Sequence, residues 1–209
     1  LLCSKNLYKA CNFWVEFCLK LNCKNTAISV FCFLSPMLGQ TNFPDTKIDY
    51  IVSGDTLRQP YYRNISLDST SEHIKYAVIS LHGDGRNSFE HYGVISELTN
   101  MAGVQDSTIL IAPTYPIQDD INEHSLGDDV LYWPDIDWNA GNLSRSTQSN
   151  PRPFRISSFS TLDTMFRRLV ENNIGLEKII LTGHSAGSQM VVRYAAGGRG
   201  QVSIANENI

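Results

Sequence analysis

The segment Gly183-His184-Ser185-Ala186-Gly187 joins an apolar run, Lys178–Thr182, to a helix-like run, Ser188–Ala196. A chain that passes from strand to helix through Gly-x-Ser-x-Gly raises its serine on a strained turn, where it can serve as a nucleophile. The glycines have a steric role. Strand and helix approach so closely that side chains two positions either side of Ser185 would collide. Ala186 keeps the next position small, and its N–H is a candidate donor to a developing oxyanion. The pentapeptide alone also fits an ordinary strand-to-helix turn, so its flanks and a second motif decide its meaning.

That second motif lies upstream. Tyr76–Leu81 reads as a buried strand that runs into His82-Gly83-Asp84-Gly85-Arg86-Asn87. A strand ending in His-Gly-x-Gly lets the backbone turn so that an N–H points at a substrate oxygen. The Asp84 N–H is the first choice for that donor and the Gly85 N–H the second. The competing reading of His82-Gly83 is a plain strand-terminating turn.

With both motifs in this order, the chain resembles the α/β-hydrolase superfamily, in particular its esterase- and lipase-like serine hydrolases. The resemblance covers roughly residues 48–209. It rests on the His82-Gly83-Asp84-Gly85 loop and the Gly183–Gly187 elbow. It implies a mainly parallel sheet with helices on both faces, and acyl transfer through Ser185. His82, Gly83, Gly183, His184 and Gly187 are then loop and elbow supports. No metal or organic cofactor is implied.

One departure from that pattern is large. The family order is Ser, then Asp or Glu, then His. After Gly187 the chain has no Asp and no His, and its only acid there is Glu207. The five histidines, His73, His82, His91, His124 and His184, all precede Ser185. His184 is a poor base, because a residue next to the nucleophile in a tight turn points elsewhere. The expectation is a partial domain that lacks its C-terminal strands. Gln201–Asn206 reads as one more strand, and the acid and histidine are expected beyond Ile209. Residues 1–209 alone are then expected to be near-inactive.

The chain has 209 residues and 42% hydrophobic content, enough for one sizeable core. A net charge of −4 argues against nucleic acid as a partner. All five cysteines fall within the first 32 residues, with no zinc spacing and no Cys-x-x-Cys. The first Met is Met37. Residues 1–40 therefore read as an N-terminal extension, foreign in composition to the domain at 41–209. Upstream sequence translated in frame and a signal peptide are favoured over an N-terminal helix of the domain. For the signal peptide, Lys20 and Lys24 precede an apolar run from Thr26 to Leu38. That run is short and carries Pro36, which argues against a membrane span. The chain is secreted if this segment is a signal peptide and cytoplasmic otherwise.

Along the domain, Lys47–Val52 alternates as an edge strand does, with Tyr61–Leu67 as its partner. Ser88 to Met101 reads as a helix with Phe89, Tyr92, Val94, Ile95 and Leu98 at helical spacing. Thr108–Ala112 is the next strand. Ser158–Asn172 is a helix with Leu162, Met165, Phe166 and Leu169 on one face and Ser157 or Ser158 as N-cap. Strands alternating with helices imply a parallel sheet.

Residues 114–157 show little periodicity and read as an insertion or lid. Their aromatic residues, Tyr115, Tyr132, Trp133, Trp138 and Phe154, either line an acyl pocket or pin the excursion to the body. Between Arg86 and Arg145 there is no Lys or Arg but ten acids. The acids from Asp119 to Asp137 have oxygens that suit Ca²⁺. Without EF-hand spacing, a solvated acidic loop is the favoured reading. Asn64-Ile65-Ser66 and Asn142-Leu143-Ser144 are glycosylation sequons, relevant only to a secreted eukaryotic chain.

The leading expectation is a serine hydrolase acting on a small-molecule acyl substrate, a carboxylic ester or related bond. Ser185 attacks, and the N–H groups of Ala186 and Asp84 or Gly85 hold the oxyanion. The runner-up is a non-catalytic hydrolase-like binding module or a decayed pseudoenzyme. A dinucleotide-binding protein is disfavoured, since Gly-x-Gly-x-x-Gly is absent.

Overall fold

A computed structural model describes residues 43–202. The expectations for residues 1–40 lie outside these residues.

The sheet begins with a hairpin. Ser53 and Gly54 both have positive φ, 53° and 94°, the pattern of a two-residue turn that matches strand twist. It joins β1 (Lys47–Val52) to β2 (Asp55–Arg63) with Val52 opposite Asp55 and Lys47 opposite Pro60. The partner of the edge strand is therefore not Tyr61–Leu67. The tight turn fixes the register and brings the pairing back to Asp55. The far end of β2, from Tyr61 to Arg63, pairs antiparallel with β4 (Thr108–Pro113). Beyond Arg63 the side chain of Asn64 continues the pairing. Its Nδ2 donates to the Thr108 carbonyl at 2.8 Å, and its Oδ1 accepts from the Leu110 N–H at 2.8 Å. This asparagine of the first sequon thus acts as a short piece of strand.

β3 (Tyr76–Leu81) pairs parallel with β4 on one side and with β5 (Lys178–Gly183) on the other. The strand order is β1-β2-β4-β3-β5. The fold is α/β, but the sheet is mixed rather than mainly parallel. Parallel neighbours need a long crossover, and only β3, β4 and β5 are linked by helix-bearing segments. The two-residue loop forces β1 and β2 antiparallel, and β2 docks on β4 in the opposite sense.

Side chains alternate across the sheet, so each strand feeds two cores. On one face, Val78 and Leu110 pack with Ile95 of α1 (Ser88–Met101). On the other, Ala77, Ile79, Ile109, Ile111, Ile179 and Leu181 pack against α3 (Ser158–Asn172) and α4 (Ala186–Gly197). Helices thus cover both faces. In α3 the predicted stripe of Leu162, Met165, Phe166 and Leu169 is buried. Ser157 caps it by accepting from the Phe159 N–H at 3.1 Å, a contact worth about 1 kcal/mol. α1 keeps the predicted span but buries little of its predicted stripe. Phe89 is 57% and Val94 42% exposed, and the buried positions are Ser88, Ile95 and Thr99.

The excursion from 114 to 157 carries α2 (Gln118–Glu123) and a 3-10 turn, Ile136–Ala140. Tyr115, Tyr132, Trp133 and Trp138 are all fully buried. Tyr115 stacks on Trp138 at 5.0 Å and meets Trp133 edge-on at 5.2 Å. These contacts pin the excursion to the body. Phe154 is partly buried against the same core. Two acids of the segment bind cations from elsewhere in the chain, Asp129 with Arg58 and Lys47 and Asp120 with Arg86, while Asp119, Glu123, Asp128, Asp135 and Asp137 are exposed. Among the described residues no group of three His, Cys, Asp or Glu side chains is placed to hold a metal. Nor is any described helix long and apolar enough to cross a membrane.

After α4 the chain does not extend into a strand at Gln201. Residues 200–202 are helical, and 203–206 lie outside the described residues. Local bonds turn the chain back onto the helices. The Gly200 N–H donates to the Tyr194 hydroxyl at 3.0 Å, and the Arg199 N–H to Asp163 at 2.8 Å.

Candidate active site

Ser185 sits between β5 and α4 with φ 50° and ψ −114°. A non-glycine residue held there is strained, at a cost of about 1–3 kcal/mol. The flanking glycines make the turn sterically accessible. A Cβ on Gly183 would lie 2.5 Å from the Gly187 carbonyl carbon. One on Gly187 would lie 2.4 Å from the His82 carbonyl oxygen and 2.5 Å from that of Leu81. The serine itself is exposed, while Ala186 and Gly187 behind it are buried.

The two motifs meet. A Cβ on Gly83 would touch Ser185 Cβ at 3.4 Å and His184 Nδ1 at 3.1 Å. Leu81 pairs with Gly183 in the sheet, so β3 and β5 end side by side. β3 leads to α1 on one face, and β5 leads to α4 on the other. Adjacent parallel strands whose connections leave to opposite faces open a crevice at their C-terminal ends, where α/β proteins bind ligands. Ser185 and the Gly83–Gly85 loop stand at that crevice.

The loop is a turn closed by the Arg86 N–H on the Gly83 carbonyl at 3.2 Å. His82 supports it from beneath. Its Nε2 accepts the Tyr115 N–H at 2.9 Å, so its Nδ1 carries the proton and donates to the Gly83 carbonyl at 2.6 Å. Burial first of all pushes the His82 pKa down to about 3. His82 is therefore a neutral brace with both ring nitrogens committed, and it is not available as a base. Trp138 packs edge-on against it at 4.8 Å. The N–H groups of Asp84, Gly85 and Ala186 make no hydrogen bond among the described residues, and Asp84 and Gly85 are exposed.

Three residues at the site escaped sequence reasoning. His91 of α1 stacks on His184 at 5.6 Å, and burial, then His184, push its pKa down to about 4. Arg86 has φ 53°, and its Nη1 donates to the Asp84 carbonyl at 2.7 Å. Its Nε lies 2.7 Å from Oδ2 of Asp120, which is 1% exposed. Only Arg86 carried a sequence signal, its place directly after the Gly-Asp-Gly turn. His124 terminates α2 and meets the Phe43 ring at 5.0 Å with the planes tilted by 54°.

No family model matches the chain, and no curated protein matches it. It is similar to a solved structure, poly(aspartic acid) hydrolase-1 from Sphingomonas sp. KT-1. The TM-score is 0.39 at 21% identity. The match covers 72% of this chain and 51% of that one, so this chain spans about half of that structure's length.

Proposed function

We propose that this chain carries the nucleophile of a serine hydrolase that acts on carboxylic esters or related acyl bonds. The observation that carries this reading is the strained Ser185 backbone, set at the crevice beside the Gly83–Gly85 loop. Ser185 Oγ attacks the acyl carbonyl carbon, and its proton passes to a base. The carbonyl oxygen becomes an oxyanion held by the Ala186 N–H and by the Asp84 or Gly85 N–H. α4 adds the positive end of its dipole at the same place. The tetrahedral adduct expels the alcohol, which takes up the proton. Water then hydrolyses the acyl-serine and restores Ser185. Both ring nitrogens of His82 are engaged, so His82 is not that base.

The test uses the full-length protein. A fluorophosphonate probe is expected to label Ser185, and p-nitrophenyl butyrate to be hydrolysed. Ser185→Ala is expected to abolish labelling and to lower kcat on the order of 10⁵–10⁶-fold. Labelling elsewhere, or unchanged hydrolysis by Ser185→Ala, refutes the reading. A folded wild-type protein that neither labels nor turns over favours the non-catalytic binding module.

A further inference from the structure

The Arg86 side chain spans two elements. It holds the carbonyl of Asp84, inside the Gly83–Gly85 loop, at 2.7 Å, and it reaches the buried carboxylate of Asp120 in α2 at 2.7 Å. The second contact is an ion pair, since the Nε–H is not aligned as a hydrogen bond. Asp120 is itself fixed, because Oδ2 accepts the Ile117 N–H at 2.8 Å. The Arg86 backbone, with φ 53°, is in a conformation that favours glycine, and a glycine here would relieve it. What a glycine would lose is the guanidinium.

The peptide joining Asp84 to Gly85 is planar and trans, so its C=O and N–H point in opposite directions. Holding the Asp84 carbonyl therefore fixes the direction of the Gly85 N–H, away from the guanidinium. The Asp84 N–H is fixed separately, because the carbonyl of its peptide, Gly83, accepts from the Arg86 backbone N–H at 3.2 Å and from His82 Nδ1 at 2.6 Å, both independent of the guanidinium. We propose that Arg86, anchored on Asp120, is a positioning residue that preorganises the Gly85 N–H as an oxyanion donor of the site. The proposal rests on the reading of Ser185 as nucleophile. Arg86 touches no reacting atom; its side chain acts through the Asp84–Gly85 peptide plane. Donors fixed beforehand need no reorganisation as charge develops, which is where such groups contribute most.

The experiment uses the full-length protein and three variants: Arg86→Gly, Arg86→Lys, and Arg86→Gly combined with Asp120→Asn. The double variant leaves no unpaired buried carboxylate and keeps an acceptor for the Ile117 N–H, so it tests the idea if the single variant fails to fold. For p-nitrophenyl butyrate, kcat is expected to fall about 10–100-fold in Arg86→Gly and in the double variant, with KM within about threefold. A trifluoromethyl ketone, which must form an oxyanion on the serine, is expected to bind more weakly by the same factor as kcat/KM. Added guanidinium ion is expected to restore part of kcat in Arg86→Gly. Arg86→Lys is expected to recover less than half of the lost activity, because an ammonium is one compact donor group and not a planar fork. A folded variant with unchanged kcat and ketone affinity overturns the proposal, as does a change confined to KM. If Ser185→Ala retains activity, the nucleophile reading fails first and the proposal falls with it. If Ser185→Ala is dead and the Arg86 variants are fully active, only the positioning role is refuted.

Discussion

Gly187→Ala places a methyl group against backbone. The added Cβ would lie 2.4 Å from the His82 carbonyl oxygen, 2.5 Å from the Leu81 oxygen and 2.8 Å from the Leu81 carbon. These atoms belong to the end of β3, so no side chain can swing aside. Reaching even 3.0 Å requires α4 and the β3 terminus to part by at least about 0.6 Å. Overpacking of this kind costs about 1–3 kcal/mol. Alanine regains about 0.5–1 kcal/mol of helix propensity. The net expectation is a loss of about 1–2 kcal/mol, or about 2–8 °C in Tm for a domain of this size. The effect on chemistry is larger. Parting the two elements moves Ser185 relative to Gly83, and productive geometry tolerates only about 0.5 Å. Fluorophosphonate labelling and kcat are therefore expected to fall about 10–100-fold. Gly197→Ala in the same helix is the control, since its Cβ would meet Phe159 at an ordinary 3.6 Å. Thermal denaturation and labelling rates on the full-length protein decide the matter. A Gly187→Ala protein as stable and as reactive as wild type would refute the close-approach reasoning.

Gly93→Ala in α1 is expected to stabilise by about 0.5–1 kcal/mol in urea unfolding, because its Cβ meets nothing within 4 Å; a loss of stability contradicts the contacts described. Acid sensitivity follows from the buried His82 and the half-buried His91, whose pKa values are lowered from 6.5 to about 3 and about 4 respectively. Between about pH 6.5 and 4 the unfolded chain binds two protons that the folded chain does not, so their contribution is full above 6.5 and drains as pH falls. His82→Asn is expected to reduce the slope of unfolding free energy against pH in this window by about 1.4 kcal/mol per unit, and an unchanged slope refutes the neutral-brace assignment. Asn64→Ala removes two bonds to β4 and is expected to cost about 1–2 kcal/mol, read from the urea midpoint; a neutral result shows that water replaces them.

Much of this protein is written locally in its sequence. The spacing of Leu162, Met165, Phe166 and Leu169 specifies a helix face, and Ser157 marks its start, because helical periodicity and capping need only near neighbours. The tight strand-to-helix turn at Ser185 was legible for the same reason. Gly183 and Gly187 answer a clash between residues a few positions apart and the strand beside them. The proximity of Gly83 to Ser185 followed from two motifs, each at the end of a strand. The pairing of β2 with β4 was not legible, because a strand's sequence does not state its partner or direction. The predicted stripe on α1 failed similarly: Phe89 and Val94 have the right period, but the sheet offers that helix only a narrow contact around Ile95. The aromatic residues of 114–157 could equally have met a ligand or a core. Tertiary packing decided for the core by setting Trp138 and Tyr115 against His82. The bond of Arg86 to Asp84 is local, but its anchor on Asp120 is not. An ion pair on a buried carboxylate needs a charge from elsewhere in the chain brought to it, and only the folded chain brings Arg86 to Asp120.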